Sequence, residues 1–145
     1  MSTDHEHFRK LERMYHAAPI NQFYRPVLRV EEGRAELEIP VRPEFFHAAA
    51  AVHGSVYFKA LDDAAFFAVN SLVAEVFVLT VSFNIYLTRP ISEGTMRARA
   101  SVVHRSRQLL IADAELFDER ERQIGRGSGS FMRSQIALTA EIGYV

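Results

Sequence analysis

The chain has 145 residues, a formal charge of −1, 48% hydrophobic residues and no cysteine. That length is enough for one domain with its own core, and the near-neutral charge argues against bulk nucleic-acid binding, which shows a basic excess. The missing cysteines exclude disulfides, thiolate zinc sites and cysteine nucleophiles, and they suit a reducing compartment, so a cytoplasmic location is expected.

Met1 to Arg13 is charged and lacks the apolar core of a signal peptide. Within residues 1–25, a helical extension, Phe8, Leu11 and Tyr15 fall at helical spacing and predict a short amphipathic helix over Asp4–Ala17. Pro19 and Asn21 are expected to end it. Val27–Glu31 reads as extended, and Glu32-Gly33-Arg34 as a turn. Ala35, Leu37, Ile39 and Val41 alternate with Glu36, Glu38 and Pro40, so a strand with one buried face closes a first hairpin. A connector over Pro43–Val52 carries Phe45, Phe46 and His47.

From Gly54 to Val73 the chain is almost wholly apolar and free of proline, which predicts one buried helix of roughly 30 Å. Lys59, Asp62 and Asp63 near its middle argue against a membrane span, since each would cost roughly 2.5–3.5 kcal/mol there. A carboxylate inside a buried helix must be paired, neutralised or used. Asp62 and Asp63 can each pair with Lys59, at three and four residues' spacing. Gly54 at the opening turn leaves backbone N–H groups and the positive end of the helix dipole pointing outward.

Val76–Leu87 is rich in Val, Phe, Thr, Ile and Tyr and reads as a strand stopped by Pro90. After a Ser92-Glu93-Gly94 turn come alternating runs over Met96–Val102 and Leu110–Phe117. Asp118–Glu121 is a charged turn, and Gln123–Arg133 is a last strand whose Gly125, Gly127 and Gly129 allow close approach or a bend. Residues 134–145 form a C-terminal tail. Short turns predict an antiparallel meander for the four strands after the helix. The fold class is therefore α+β, one curved antiparallel sheet around one long helix. A lone sheet leaves an edge strand unpaired, which joining two sheets edge to edge would relieve.

His53-Gly54-Ser55, followed by Leu61-Asp62-Asp63-Ala64, resembles the helix motif of hotdog-fold thioesterases. The phenylacetate-degradation type of acyl-CoA thioesterase is the nearest in pattern. Ser82 to Pro90 is similar to that family's strand ending in Tyr-Leu-x-Pro. The resemblance runs from about Pro26 to Arg133. It departs from the family's pattern at His47, where an Asn is usual, and at Ser55, where a Gly is usual. It implies a hotdog fold over a single domain, residues 1–145, hydrolysing acyl-CoA thioesters as a homodimer or homotetramer. No cofactor is implied, because coenzyme A is part of the substrate. The family's carboxylate position falls on Asp62 and its water-orienting hydroxyl on Thr80.

Gly54 and Asp62 lie about 12 Å apart along one helix axis, so they cannot meet at one carbonyl within one chain. In the antiparallel dimer that the resemblance implies, Gly54 of one copy would face Asp62 of the other. The Gly54 N–H would stabilise the oxyanion, with His53 or His47 as a second donor. Asp62 would act as general base or attack directly, and Thr80 would hold the water. Ser55, Phe46, Phe58 and Phe66 are candidate substrate contacts. For each phenylalanine a place in the core is an equal alternative.

Two other readings stay open. His47 with Asp62 superficially resembles the pair of a hotdog hydratase or dehydratase, although Ala48–Ala51 replaces the proline-rich loop of those enzymes. A non-catalytic acyl-CoA-binding module is the other. His5, His7 and His16 make no convincing metal set, and no phosphate-binding glycine loop, serine elbow or HExxH pattern occurs.

Overall fold

The computed structural model describes residues 2–145. Its elements run α1 (Ser2–Ala17), α2 (Pro19–Tyr24), β1 (Val27–Glu31), β2 (Arg34–Pro40), α3 (Gly54–Asn70), β3 (Val76–Leu87), β4 (Thr95–Arg105), β5 (Leu110–Phe117) and β6 (Gln123–Ala137). Single 3₁₀ turns at Pro43–Phe45 and Ala140–Ile142 complete the set. All six strands form one antiparallel sheet, ordered β1-β2-β4-β5-β6-β3.

The helix α3 lies on the concave side of this sheet. Leu37, Ala98, Ala114, Leu116 and Ile124 turn toward it and are buried, as are Ala60, Leu61, Ala64, Ala65 and Ala68 on the helix. The small helix residues let the sheet approach closely, and the alternation of the strands puts their charged positions outside. Strand register then assembles those charges into a row. Arg29, Glu36, Arg99, Glu115 and Arg126 sit opposite one another across five strands, alternating in sign. Arg29, Arg99 and Arg126 are exposed, and Arg99 takes its ion pair from Glu121 rather than from a neighbour in this row, so these arginines are ordinary members of a solvated sheet face.

The meander expected after α3 is only partly present. Strands β4, β5 and β6 are sequential neighbours, but β3 crosses to the far edge and pairs with β6. The 88–94 connection makes this crossing beneath the start of α3, held by Val52 N–H to the Ile91 carbonyl and by the Tyr57 hydroxyl to the Arg89 carbonyl. The glycines of β6 explain the partner. Gly127 and Gly129 stand opposite Ile85 and Phe83, and a Cβ at either would come within 2.5 Å of the Phe83 ring. A strand without side chains at these two positions pairs with β3 without displacing the Phe83 ring.

Three boundaries also differ. The helix α3 ends at Asn70, not Val73, because the Asn70 side chain leaves the helix register to bond Val73 O, Val76 O and Val78 N. Pro19 ends α1 but also opens α2, as proline at a first helical turn does. Residues 134–137 of the expected tail belong to β6.

The two sheet edges are treated differently. The edge β1 is covered by α1, whose side chains satisfy its backbone: Val30 N–H donates to Glu12 Oε2, Leu28 N–H to His16 Nε2, and Arg9 donates to the Val30 carbonyl. The edge β3 has no such cover among the described residues, and it exposes Leu79, Val81, Tyr86 and Leu87. No helix among the described residues is long and apolar enough to cross a membrane.

Candidate active site

Asp62 sits midway along α3 with its carboxylate half-buried. Thr80 of β3 donates its hydroxyl to Asp62 Oδ1 at 2.9 Å. A bulge aims it: between Thr80 and Ser82 the strand advances two residues while β6 advances one, from Phe131 to Ser130, so Val81 is extra. Bulges of this kind re-aim side chains and favour sites. Burial pushes the Asp62 pKa up to about 6, assisted by the charge of Asp63 and opposed by the Thr80 hydrogen bond and by Lys59. A carboxyl poised there can accept a proton near neutral pH.

The adjacent carboxylate is committed elsewhere. Asp63 Oδ2 accepts from Lys59 Nζ at 2.7 Å and from the Tyr15 hydroxyl at 2.6 Å. Asp62 has no cationic hydrogen-bond partner among the described residues. Both open onto a cavity of about 790 Å³, in the range of small-molecule pockets. Phe66, Phe67 and Phe77 supply apolar walls, α1 and α2 roof it through Met14 and Ile20, and Ile136 and Ile142 close the side.

The start of α3 forms a second cleft, of about 360 Å³, which Gly54 and His47 line with Tyr57, Leu87 and Arg89. His53 caps the helix: its Nδ1 accepts from Ser55 N–H at 3.0 Å and lies 2.9 Å from Ser55 Oγ. His47 Nδ1 likewise accepts from Ala49 N–H at 3.0 Å. Accepting at Nδ1 assigns each neutral ring its proton on Nε2, so both histidines are N–H donors at that nitrogen. Val56 N–H is taken by the His53 carbonyl, which leaves Gly54 as the first-turn amide without a partner among the described residues.

The structure thus brings Asp62, Thr80 and Phe66 to one cavity and Gly54 and His47 to another. Within the chain, His47 and Asp62 do not share a site. Ser55, His53, Phe46 and Phe58 line neither cleft. Ser55 is exposed beside His53, Phe46 bridges to Val52, and Phe58 packs its ring edge-on against Phe83. The sequence reading missed the cavity roof. Tyr15 was legible within an apolar helix stripe with Phe8 and Leu11 and Met14 was not, and nothing local shows that Tyr15 and residues 140–143 converge over Asp62.

One six-stranded antiparallel sheet around a long central helix defines a hotdog-fold protein. The thioesterase superfamily pattern matches residues 50–124, more than half of the chain, and the chain belongs to that family. It is similar to a Saccharolobus solfataricus protein that carries an esterase name, at 22% identity over 72% of this chain and 69% of that one. Among solved structures, it resembles the E. coli PaaI protein from the phenylacetic acid degradation operon (TM-score 0.85, 21% identity, 94% of this chain and 99% of that one). It also resembles a thioesterase family protein from Silicibacter pomeroyi (TM-score 0.79, 27% identity, 87% and 96%).

Proposed function

We propose that the protein hydrolyses acyl-CoA thioesters to free acid and thiol at sites shared between two copies of the chain. The observation that carries this reading is the division of parts along α3. A carboxylate with no cationic partner and an oriented hydroxyl open on one cavity, while an unpartnered helix-start amide opens on another about 12 Å away. Each half lacks what the other has. Antiparallel pairing of two chains along β3 would supply it, and β3 is the edge that α1 leaves uncovered.

In such a pair the Gly54 N–H, at the positive end of the α3 dipole, faces the thioester oxygen and stabilises its developing charge. His47 adds an Nε2–H donor at the same cleft, and His53, at the helix N-cap, is the alternative second donor. Asp62 of the other copy takes a proton from water as it attacks, or attacks the carbonyl itself to form an anhydride that water opens. The hydroxyl of Thr80 donates to Asp62, which holds the carboxylate in place, and its oxygen accepts from the attacking water and so holds it. The acyl group occupies the apolar cavity past Phe66, and coenzyme A leaves as the thiol. No cofactor takes part, the location is the cytoplasm, and a homotetramer would be two such dimers.

A panel of acyl-CoA thioesters assayed by free-thiol release tests the activity. Asp62→Ala is expected to lose at least about a hundredfold in kcat, the scale of a lost general base. Undiminished turnover in the Asp62→Ala variant would end this reading.

A further inference from the structure

Lys59, Asp63 and Tyr15 form a cluster that thioester chemistry does not require. The Lys59–Asp63 pair is largely buried, with side chains 11% and 18% exposed. Tyr15 reaches from α1 to donate to the same Asp63 oxygen that Lys59 holds. The Lys59 ammonium also lies 5.5 Å from the Tyr15 ring centre and 4.9 Å from that of Tyr24. A buried ion pair is weak support for stability, since apolar residues of similar volume do as well or better. Its position offers another role. Lys59 and Asp63 line the same cavity as Asp62, one helical turn before it and directly after it.

We propose that Lys59 and Asp63, locked together by Tyr15, are positioning residues that set the pH at which Asp62 becomes basic. As a closed pair they place compensating charges beside Asp62. Opening the pair from either side exposes one charge to it, and the two openings act in opposite directions. The groups facing Asp62 are Lys59 and Asp63 on α3, Tyr15 on α1, Thr80 on β3 and Glu141 of the C-terminal turn. His47 and His53 of a second copy join them in the paired site and are unchanged in every variant below. The catalytic consequence rests on the function proposed above; the electrostatic one does not.

The test follows the Asp62 carboxyl directly. Its ¹³C resonance is assigned by its loss in Asp62→Asn and titrated in the full-length protein. Lys59→Met is expected to raise the midpoint by about one pH unit, because Asp63 is left uncompensated. Asp63→Asn is expected to lower it by a similar amount, because Lys59 is left uncompensated. The double variant is expected near the unsubstituted midpoint, and Lys59→Arg, which keeps the cation, also near it. Lys59→Gln replaces Lys59→Met if the latter does not fold. Midpoints that stay put, or that move in the same direction in both single variants, overturn the inference. The acid limb of hexanoyl-CoA hydrolysis is recorded alongside. Opposite midpoint shifts without matching limb shifts would sink Asp62 as the base yet leave the electrostatic role standing.

Discussion

Thr80 and Asp62 are joined by a single hydrogen bond of 2.9 Å that ties the free edge of the sheet to the middle of the central helix. The donor is a hydroxyl, so the bond stabilises the charged carboxylate and opposes the effect of burial. Position and protonation of Asp62 therefore depend on one strand residue placed by a bulge. Thr80→Val, of nearly the same shape, is expected to move the acid limb of the rate profile upward from about 6, by up to about one unit. It should also lower kcat more than it raises KM. A pH–rate profile of the variant checks both.

The raised Asp62 pKa has a consequence for stability that is independent of catalysis. Between the ordinary carboxylate value and about 6, the folded chain holds a proton that the unfolded chain has released. Stability therefore falls as pH rises through that window. Asp62→Asn removes the cost while keeping an acceptor for Thr80. It is expected to stabilise the protein at pH 8 by up to about 3 kcal/mol, with the gain fading toward pH 4. Urea unfolding at both pH values measures it; an equal effect at the two would contradict the shift.

Much of this fold was legible because its signals are local. Alternation in Ala35–Val41, Met96–Val102 and Leu110–Phe117 marked three strands, and the apolar run from Gly54 marked the helix. The partner of β3 was not legible. It depends on Gly127 and Gly129 making room for Phe83, a contact across more than forty residues. The site divides in the same way. The motif marked Gly54 and Asp62, and the spacing set them apart. The roof over Asp62 combines both chain ends, and Tyr15's hydroxyl on Asp63 follows from tertiary packing alone.

The fit of Phe83 over the β6 glycines yields a stability prediction. A Cβ at Gly129 would lie 2.4 Å from Phe83 Cδ2. Gly129→Ala should therefore cost about 1–3 kcal/mol through overpacking. Shortening the opposing side chain relieves the clash, so Gly129→Ala with Phe83→Leu should be less destabilised than the two single changes sum to. Thermal unfolding of the four members of this cycle reads the coupling. A coupling of zero would mean that the ring moves aside freely.

Two broken chains should restore each other if the site is shared. Gly54→Pro deletes the first-turn N–H, and proline is tolerated at that helical position. The Leu87 tip, 2.9 Å from a Cβ there, must swing away. Asp62→Ala deletes the carboxylate. Each homodimer would lack one part at both sites, so each should be inactive. In a mixed dimer, one site receives Gly54 from the Asp62→Ala chain and Asp62 from the Gly54→Pro chain, and the other site receives neither. Equal mixing and random exchange make about half the dimers mixed, by the symmetry of a two-fold pair. Half of the sites in those dimers are whole, so activity should return to about a quarter of the unsubstituted level. Unfolding and refolding the mixture ensures exchange, and each variant refolded alone is the control. If both parts came from one chain, every site in every dimer would still lack one of them, and mixing would return no activity.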